Sequence, residues 1–212
     1  TNVFEDNNDN GLSVDAGGDI DAENITAGGN GAIFGTGAEF NSSGSVSLTG
    51  VNTFTGNKDA GLFIDAVGDV DVENVTAVDN SIGAELNLSG ALSIVGDNVF
   101  NNNDGVGLYV DAVGDINAEN LTVNNNGVDN ALGNGAELYT LGSFSLVGTN
   151  VFNGNNNTGL YVDAFGGIDV ENVTANNNGV GGVFGNGAEF YSLSSFTLSG
   201  VNTFNDNYSD GL

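Results

Sequence analysis

The chain contains no proline, cysteine, histidine, methionine, tryptophan or arginine, and its single base is Lys58. Without cysteine there is no disulfide framework, and without cysteine or histidine there is no thiolate or imidazole metal site. The same gaps remove Ser–His–Asp and Cys–His catalysis, and an arginine clamp on phosphate. Against that one base stand 28 acids, for a formal charge of −27 over 212 residues. So acidic a chain does not bind nucleic acid directly, because phosphate neutralisation needs lysine and arginine. Attraction to an anionic membrane surface is disfavoured for the same reason. No run of 18 apolar residues is present, so membrane insertion by a helix is not expected. The first residues lack the basic and apolar stretches of a signal peptide. What the chain does have is 35 glycines, 36 asparagines and 39% hydrophobic residues. High charge with abundant glycine could signal disorder, but the apolar residues are too regularly placed for that.

The regularity is a repeat. Gly-Leu-x-(Val/Ile)-Asp-Ala begins at Gly11, Gly61, Gly107 and Gly159, and Gly211-Leu212 matches its start. Gly-Ala-Glu-(Phe/Leu) begins at Gly37, Gly83, Gly135 and Gly187. Each long repeat thus has two related halves, rung A and rung B. A second glycine follows seven residues later at Gly18, Gly68, Gly114 and Gly166 in rung A, and at Gly44, Gly90 and Gly142 in rung B. The last B copy has Ser194 there. From each Gly-Ala-Glu to the next Gly-Leu is always 24 residues, and from each Gly-Leu to Asn30, Asn80, Asn126 or Asn178 is always 19. Length varies only between those asparagines and the next Gly-Ala-Glu: 7, 3, 9 and 9 residues. A fixed circumference with insertions at one point is the signature of a solenoid coil.

Within each rung the pattern has period two. Leu12, Val14 and Ala16 alternate with Ser13 and Asp15, and Ile20 and Ala22 alternate with Asp19, Asp21 and Glu23. Such alternation marks half-buried strands, here separated by glycine and asparagine turns. Three short strands and three turns per coil predict an all-β fold, a single-stranded parallel β-helix. About 8–9 coils of 22–28 residues are expected, paired as double-rung repeats of 46–52 residues. A right-handed coil is the expectation from coil length and irregular turns. Residues 1–212 read as one continuous solenoid cut from a longer array, because the chain starts and stops inside the pattern without a distinct cap.

One asparagine recurs in every coil: Asn7, Asn30, Asn57, Asn80, Asn103, Asn126, Asn155, Asn178 and Asn207. In rung B it lies three residues after a phenylalanine, as in Phe54 and Asn57. Stacked about 4.8 Å apart, such side chains can bond the amide above and below. An inward asparagine ladder beside a phenylalanine stack is therefore expected.

The motif x-Asn-x-Phe-x-x-Asn-(x)3-Gly-Leu/Ala is carried by Asn52-Thr53-Phe54-Thr55-Gly56-Asn57 and by Asn202-Thr203-Phe204-Asn205-Asp206-Asn207. It resembles the repeats of bacterial surface β-helix proteins, namely polymorphic outer-membrane-protein and filamentous-haemagglutinin-like adhesin passengers. The resemblance spans the chain and is one of architecture and turn chemistry. It implies an extracellular or cell-surface bacterial setting and no particular ligand. Such passengers carry Gly-Gly-Ala, whereas a single glycine precedes leucine or alanine here.

Eighteen of the acids fall in five outward columns: Asp15/65/111/163, Asp19/69/115, Asp21/71/169, Glu23/73/119/171 and Glu39/85/137/189. Neutral residues hold most of the intervening positions, so like charges in a column stand about 9.6 Å apart, near one Debye length. The columns read either as a solvated face or as weak Ca2+ sites built from Asp19, Asp21, Glu23, Asp69, Asp71 and Glu73, since hard cations take oxygen ligands. No EF-hand loop is present, and no cofactor is required. Tyr109, Tyr139, Tyr161 and Tyr191 are outward and interleave with Asp111, Glu137, Asp163 and Glu189. They either stiffen the sheet, bind glycans or pack against another fibre. The variable turns hold Ile33 and Phe34, then Leu132, then Val183 and Phe184, which either fold back on the coil or make lateral contacts. Asn-x-Thr sequons at Asn24, Asn74, Asn120 and Asn172 are candidate glycosylation sites.

The leading functional expectation is a structural or adhesive extracellular protein that joins copies of itself, head to tail or laterally, into a fibre. Glycans or other cell-surface material are the alternative partners. A β-helix polysaccharide-active enzyme is a lesser alternative. The known lyases of that shape rely on arginine or lysine, and acids copied into every repeat resemble a surface rather than one tuned site. Ice binding would favour flat threonine rows, which are missing.

Overall fold

The computed structural model describes residues 1–127, 133–180 and 184–212. Among these residues all regular structure is β-strand, in three parallel sheets of eight strands each. Each coil gives one strand to each sheet. Sheet 1 runs from Leu12–Ala16 to Ala188–Ser192, sheet 2 from Ile20–Glu23 to Phe196–Ser199, and sheet 3 from Asn2–Glu5 to Val173–Thr174. Coil 1 begins at Leu12, which pairs with Ala38, then Leu62, Ala84, Leu108, Ala136, Leu160 and Ala188. The chain is therefore a parallel β-solenoid of about eight turns, with rungs A and B alternating.

The three sheets enclose a core with no layer deeper than one coil, so each inward side chain must match the one above it. Sheet 1 does this by complementary volumes. Rung A offers a large and then a smaller residue (Leu12, Val14), and the rung B above it offers a small and then a larger one (Ala38, Phe40). In sheet 3 the phenylalanines of rung B alternate with the smaller residues of rung A that precede the ladder asparagines. Phe54 pairs with Ala27 below and Ala77 above, and Ala77 pairs with Phe100. Each ring is buried against small neighbours, since two consecutive rings would overfill the space above Asn57 and its equivalents.

The asparagine ladder is complete. Each Nδ2 donates to the Oδ1 of the next ladder residue at 2.9–3.3 Å, from Asn7 through to Asn207. The backbone N–H of each donates to the same Oδ1 at 2.9–3.1 Å. The second Nδ2 hydrogen reaches back to a sheet 3 carbonyl, as from Asn103 to Ala77 at 3.2 Å. An amide side chain has two donors and two lone pairs, and the seven interior residues, Asn30 to Asn178, use all four. No buried side-chain polar atom among the described residues lacks a partner.

The ladder also explains the motif glycines. A Cβ on Gly83 would collide with the carbonyl oxygen of Gly107 and lie 2.8 Å from Nδ2 of Asn103. The constraint there is close approach rather than a special φ. At the turn between sheets 2 and 3 the constraint is the backbone itself: Asn74 (φ 47°) and Gly96 (φ 79°) are both left-handed, as are their counterparts in every other coil. Glycine adopts that region most readily, and asparagine and aspartate more readily than other residues.

Replacing Asn103 by Ala should lower stability by about 2–6 kcal/mol, because it strips partners from the buried N–H and Nδ2 of Asn80. Asn103→Asp should be at least as damaging, since a carboxylate cannot donate to Asn126 or Ala77. Exposed Asn117→Ala should stay within about 0.5 kcal/mol. Urea unfolding of the three variants checks this.

Candidate functional site

The outer face of sheet 1 is a checkerboard. One column reads Ser13, Glu39, Phe63, Glu85, Tyr109, Glu137, Tyr161, Glu189 in successive coils. Its neighbour, two residues along each strand, reads Asp15, Asn41, Asp65, Asn87, Asp111, Tyr139, Asp163, Tyr191. Every acid in a column therefore has an uncharged residue on either side of it. In the first coils Ser13 and Phe63 do this in the first column and asparagine in the second, and Nδ2 of Asn41 bonds both Asp15 and Glu39 at 2.9 Å. From coil 5 onward tyrosine does it.

The tyrosines alternate between the two columns, so their contacts run diagonally. Ring centroids are 5.9 Å apart for Tyr109 and Tyr139, 5.5 Å for Tyr139 and Tyr161, and 5.7 Å for Tyr161 and Tyr191, with planes tilted 43–50°. This lies within the favourable range for tilted aromatic pairs. One continuous aromatic zigzag thus climbs coils 5–8, with Asp111, Glu137, Asp163 and Glu189 on the other diagonal. Burial and nearby carboxylates push the phenols up. For Tyr139 burial and then Glu137 raise the pKa to about 12. For Tyr109 and Tyr161 burial acts first and Asp111 or Asp163 second. For Tyr191 the charge of Glu189 comes first. Burial also raises Glu137, against hydrogen bonds from Asn134 and Tyr139.

The apolar edge of this face was not anticipated. The turn that follows each sheet 1 strand places one residue outward, six positions after the motif glycine. Coils 1, 2 and 4 have Gly17, Ser43 and Ser89 there and coil 3 has an isolated exposed Val67, whereas coils 5–8 carry an unbroken run of Val113, Leu141, Phe165 and Leu193, all exposed. Aligning the rungs on their motif glycines reveals this switch. A cleft of about 150 Å3 lies between Tyr139, Leu141 and Phe165, with Asp111 and Asp163 in its wall.

The six cation-site candidates do not converge. Oδ1 of Asp19 and of Asp69 each accepts the N–H of the next coil's turn, from Ser45 and Ala91 at 2.8 Å. Oε2 of Glu73 accepts the N–H of Gly50 at 3.0 Å. Asp21, Glu23 and Asp71 are exposed. Among the described residues no three carboxylates group as metal ligands. The acids of these turns act in the backbone bonding of the coil, a role that outward alternation alone did not reveal.

The sequon asparagines Asn24, Asn74, Asn120 and Asn172 are the left-handed residues of the turn between sheets 2 and 3. Each Oδ1 accepts an N–H from the next coil, as Asp97 gives to Asn74 at 3.1 Å. Their regular spacing thus has a structural cause. A second set was missed: Asn52, Asn98 and Asn150, two residues before the phenylalanines, are buried and accept the N–H of Ile25, Val75 and Leu121. Their fixed offset from phenylalanine was the available signal. In the variable turns Ile33, Phe34 and Phe184 are exposed and do not fold back on the coil. Leu132 and Val183 lie outside the described residues.

Comparison with protein-family models, curated proteins and solved structures finds no match in any of the three.

The raised phenols predict a pH dependence. Above pH 10 an unfolded tyrosine ionises while these resist, so their stabilising share is whole below pH 10 and is lost as pH rises toward about 12. Absorbance titration at high pH should show four phenols titrating late, and Glu137→Gln should lower the Tyr139 midpoint. A single normal tyrosine transition would contradict the site geometry.

Proposed function

We propose that the chain is a length of extracellular or cell-surface rod with a structural or adhesive, non-catalytic role, of the kind its motif resembles in bacterial β-helix passengers. The observation that carries this reading is the unbroken register. Outward positions stack in register from coil to coil on three sheets, about 4.8 Å apart. A rod of this kind multiplies one surface pattern along its length instead of building one concave site. The use of turn carboxylates as backbone acceptors also favours a structural role for the acids over a catalytic one.

Self-assembly, where it occurs, follows the direction of the ladder. In every asparagine-to-asparagine bond of the ladder the donor lies on the N-terminal side and the acceptor on the C-terminal side. Two copies can continue it only head to tail, the geometry that propagates into a filament. Sedimentation velocity over a wide concentration range should show growing species, and electron microscopy should show rods of one width and varied length. Short monodisperse rods at every concentration would remove the filament from this proposal. Antibody labelling of intact source cells tests the location.

Ca2+ binding is the weaker reading. Asp19, Asp69 and Glu73 already bond backbone N–H groups, and a cation would have to displace these. Calorimetric titration with Ca2+ should give no saturable heat and leave the melting temperature unchanged. A stoichiometric heat abolished by Asp71→Asn would reverse this order.

A further inference from the structure

We propose that the tyrosine face of coils 5–8 is a docking track for an extended, arginine-rich segment of a partner protein. The proposal rests on the adhesive part of the rod reading and names the chemistry of what adheres.

Among the described residues three features coincide only here. The four rings form one contiguous strip, with centroid steps of 5.5–5.9 Å. A carboxylate faces each ring across the strand pairing: Tyr109 pairs with Glu137, Tyr139 with Asp111 and Asp163, and Tyr161 with Glu189. An apolar ridge borders the strip, with Leu141 59% and Phe165 58% exposed. The acids of sheet 2 have no such company: Asp21 and Asp71 pair with Ser47, and Asp169 with Ser145 and Thr197. The first coils have acids on sheet 1, but asparagine in place of tyrosine between Asp15, Asp65 and Asp111.

Charge selects the occupant. The chain carries −27 and its only base, Lys58, lies outside these coils, so the carboxylates of the track have no cation of their own. A second copy laid on this face would oppose carboxylate to carboxylate. A neutral glycan could stack on the rings but would leave the four charges unused. A guanidinium uses both parts of the surface. It is planar and weakly hydrated, it stacks on aromatic faces, and it pairs with a carboxylate in a bidentate fork. The cleft beside Tyr139 presents that combination, with Asp111 and Asp163 in its wall and Phe165 at its edge. Spacing fits as well. From Tyr109 to Tyr191 the strip climbs three strand spacings, about 14 Å, and the first and last arginines of an extended Arg-x-Arg-x-Arg segment lie about 13 Å apart, so such a segment spans the strip.

The test is titration of the chain at low salt with an alternating Arg–Ser dodecapeptide and its Lys–Ser counterpart, read by calorimetry and tyrosine fluorescence. The arginine peptide should bind at least about fivefold more tightly, since it alone stacks and forks. Tyr139→Leu with Tyr161→Leu keeps the apolar cover and the net charge, and should weaken binding about tenfold. Asp111→Asn with Asp163→Asn should weaken it comparably. Asp21→Asn with Asp71→Asn on sheet 2 removes the same charge and should change it less than about twofold. Thermal melting of each variant reports its fold. The proposal fails if both peptides bind equally and independently of the tyrosines, which is diffuse attraction to an acidic rod. It also fails if a neutral oligosaccharide such as chitohexaose binds at these tyrosines while the peptide does not, or if nothing binds at low salt. None of these outcomes bears on the rod reading, which rests on sedimentation, microscopy and cell labelling.

Discussion

Each interior ladder asparagine makes four hydrogen bonds with one side chain, and the rest of the coil is arranged around that bonding. A parallel coil offers its own backbone no partner within the same turn. Every N–H and C=O must look to the coil above or below, and at turns the sheet cannot supply the match. At the turn from sheet 3 to sheet 1 the amide of Asn103 supplies it, taking the N–H of residue 80 and bonding the carbonyl of residue 77. The motif glycine at the start of the sheet 1 segment follows from this, since Gly83 must lie against both the amide and the next coil's carbonyl. The Phe–Ala alternation follows too, because the space above the ladder admits one ring in every two coils.

The same demand for turn acceptors explains how the molecule tolerates its charge. Asp19, Asp69 and Asp115 accept turn N–H groups from the following coil, and Glu73, Glu119 and Glu171 from the preceding one. Hydrogen bonds to ionised acceptors are stronger than neutral ones, so these acids contribute to the coil as well as repel one another. Repulsion is held down by the alternation of acidic and neutral rungs on every outward column.

Much of this was legible from residue order. Motif spacing located the coils, the point of variable length and the ladder register, because a solenoid repeats its contacts at a fixed sequence distance. Period-two alternation separated Leu12 and Val14 from Ser13 and Asp15. Outward direction, however, did not reveal function. Asp19 and Asp21 looked equivalent, yet one accepts a backbone N–H and the other is exposed. The sequon pattern at Asn24, Asn74, Asn120 and Asn172 is also the pattern of a left-handed turn residue, and sequence could not separate the two readings.

The sequence by itself determined the coil: its circumference, its three strands, and the asparagine in every turn, since each depends on local period and on one recurring contact. Only the tertiary structure decided what the surface presents. Tyr109 and Tyr139 belong to different columns and touch because the diagonal of a parallel strand pair brings the rings of residues 30 apart to a centroid distance of 5.9 Å. Val113, Leu141, Phe165 and Leu193 become a ridge because one turn position is stacked four times. Such neighbours depend on lateral distance between coils, a quantity set by strand pairing and carried by no single repeat.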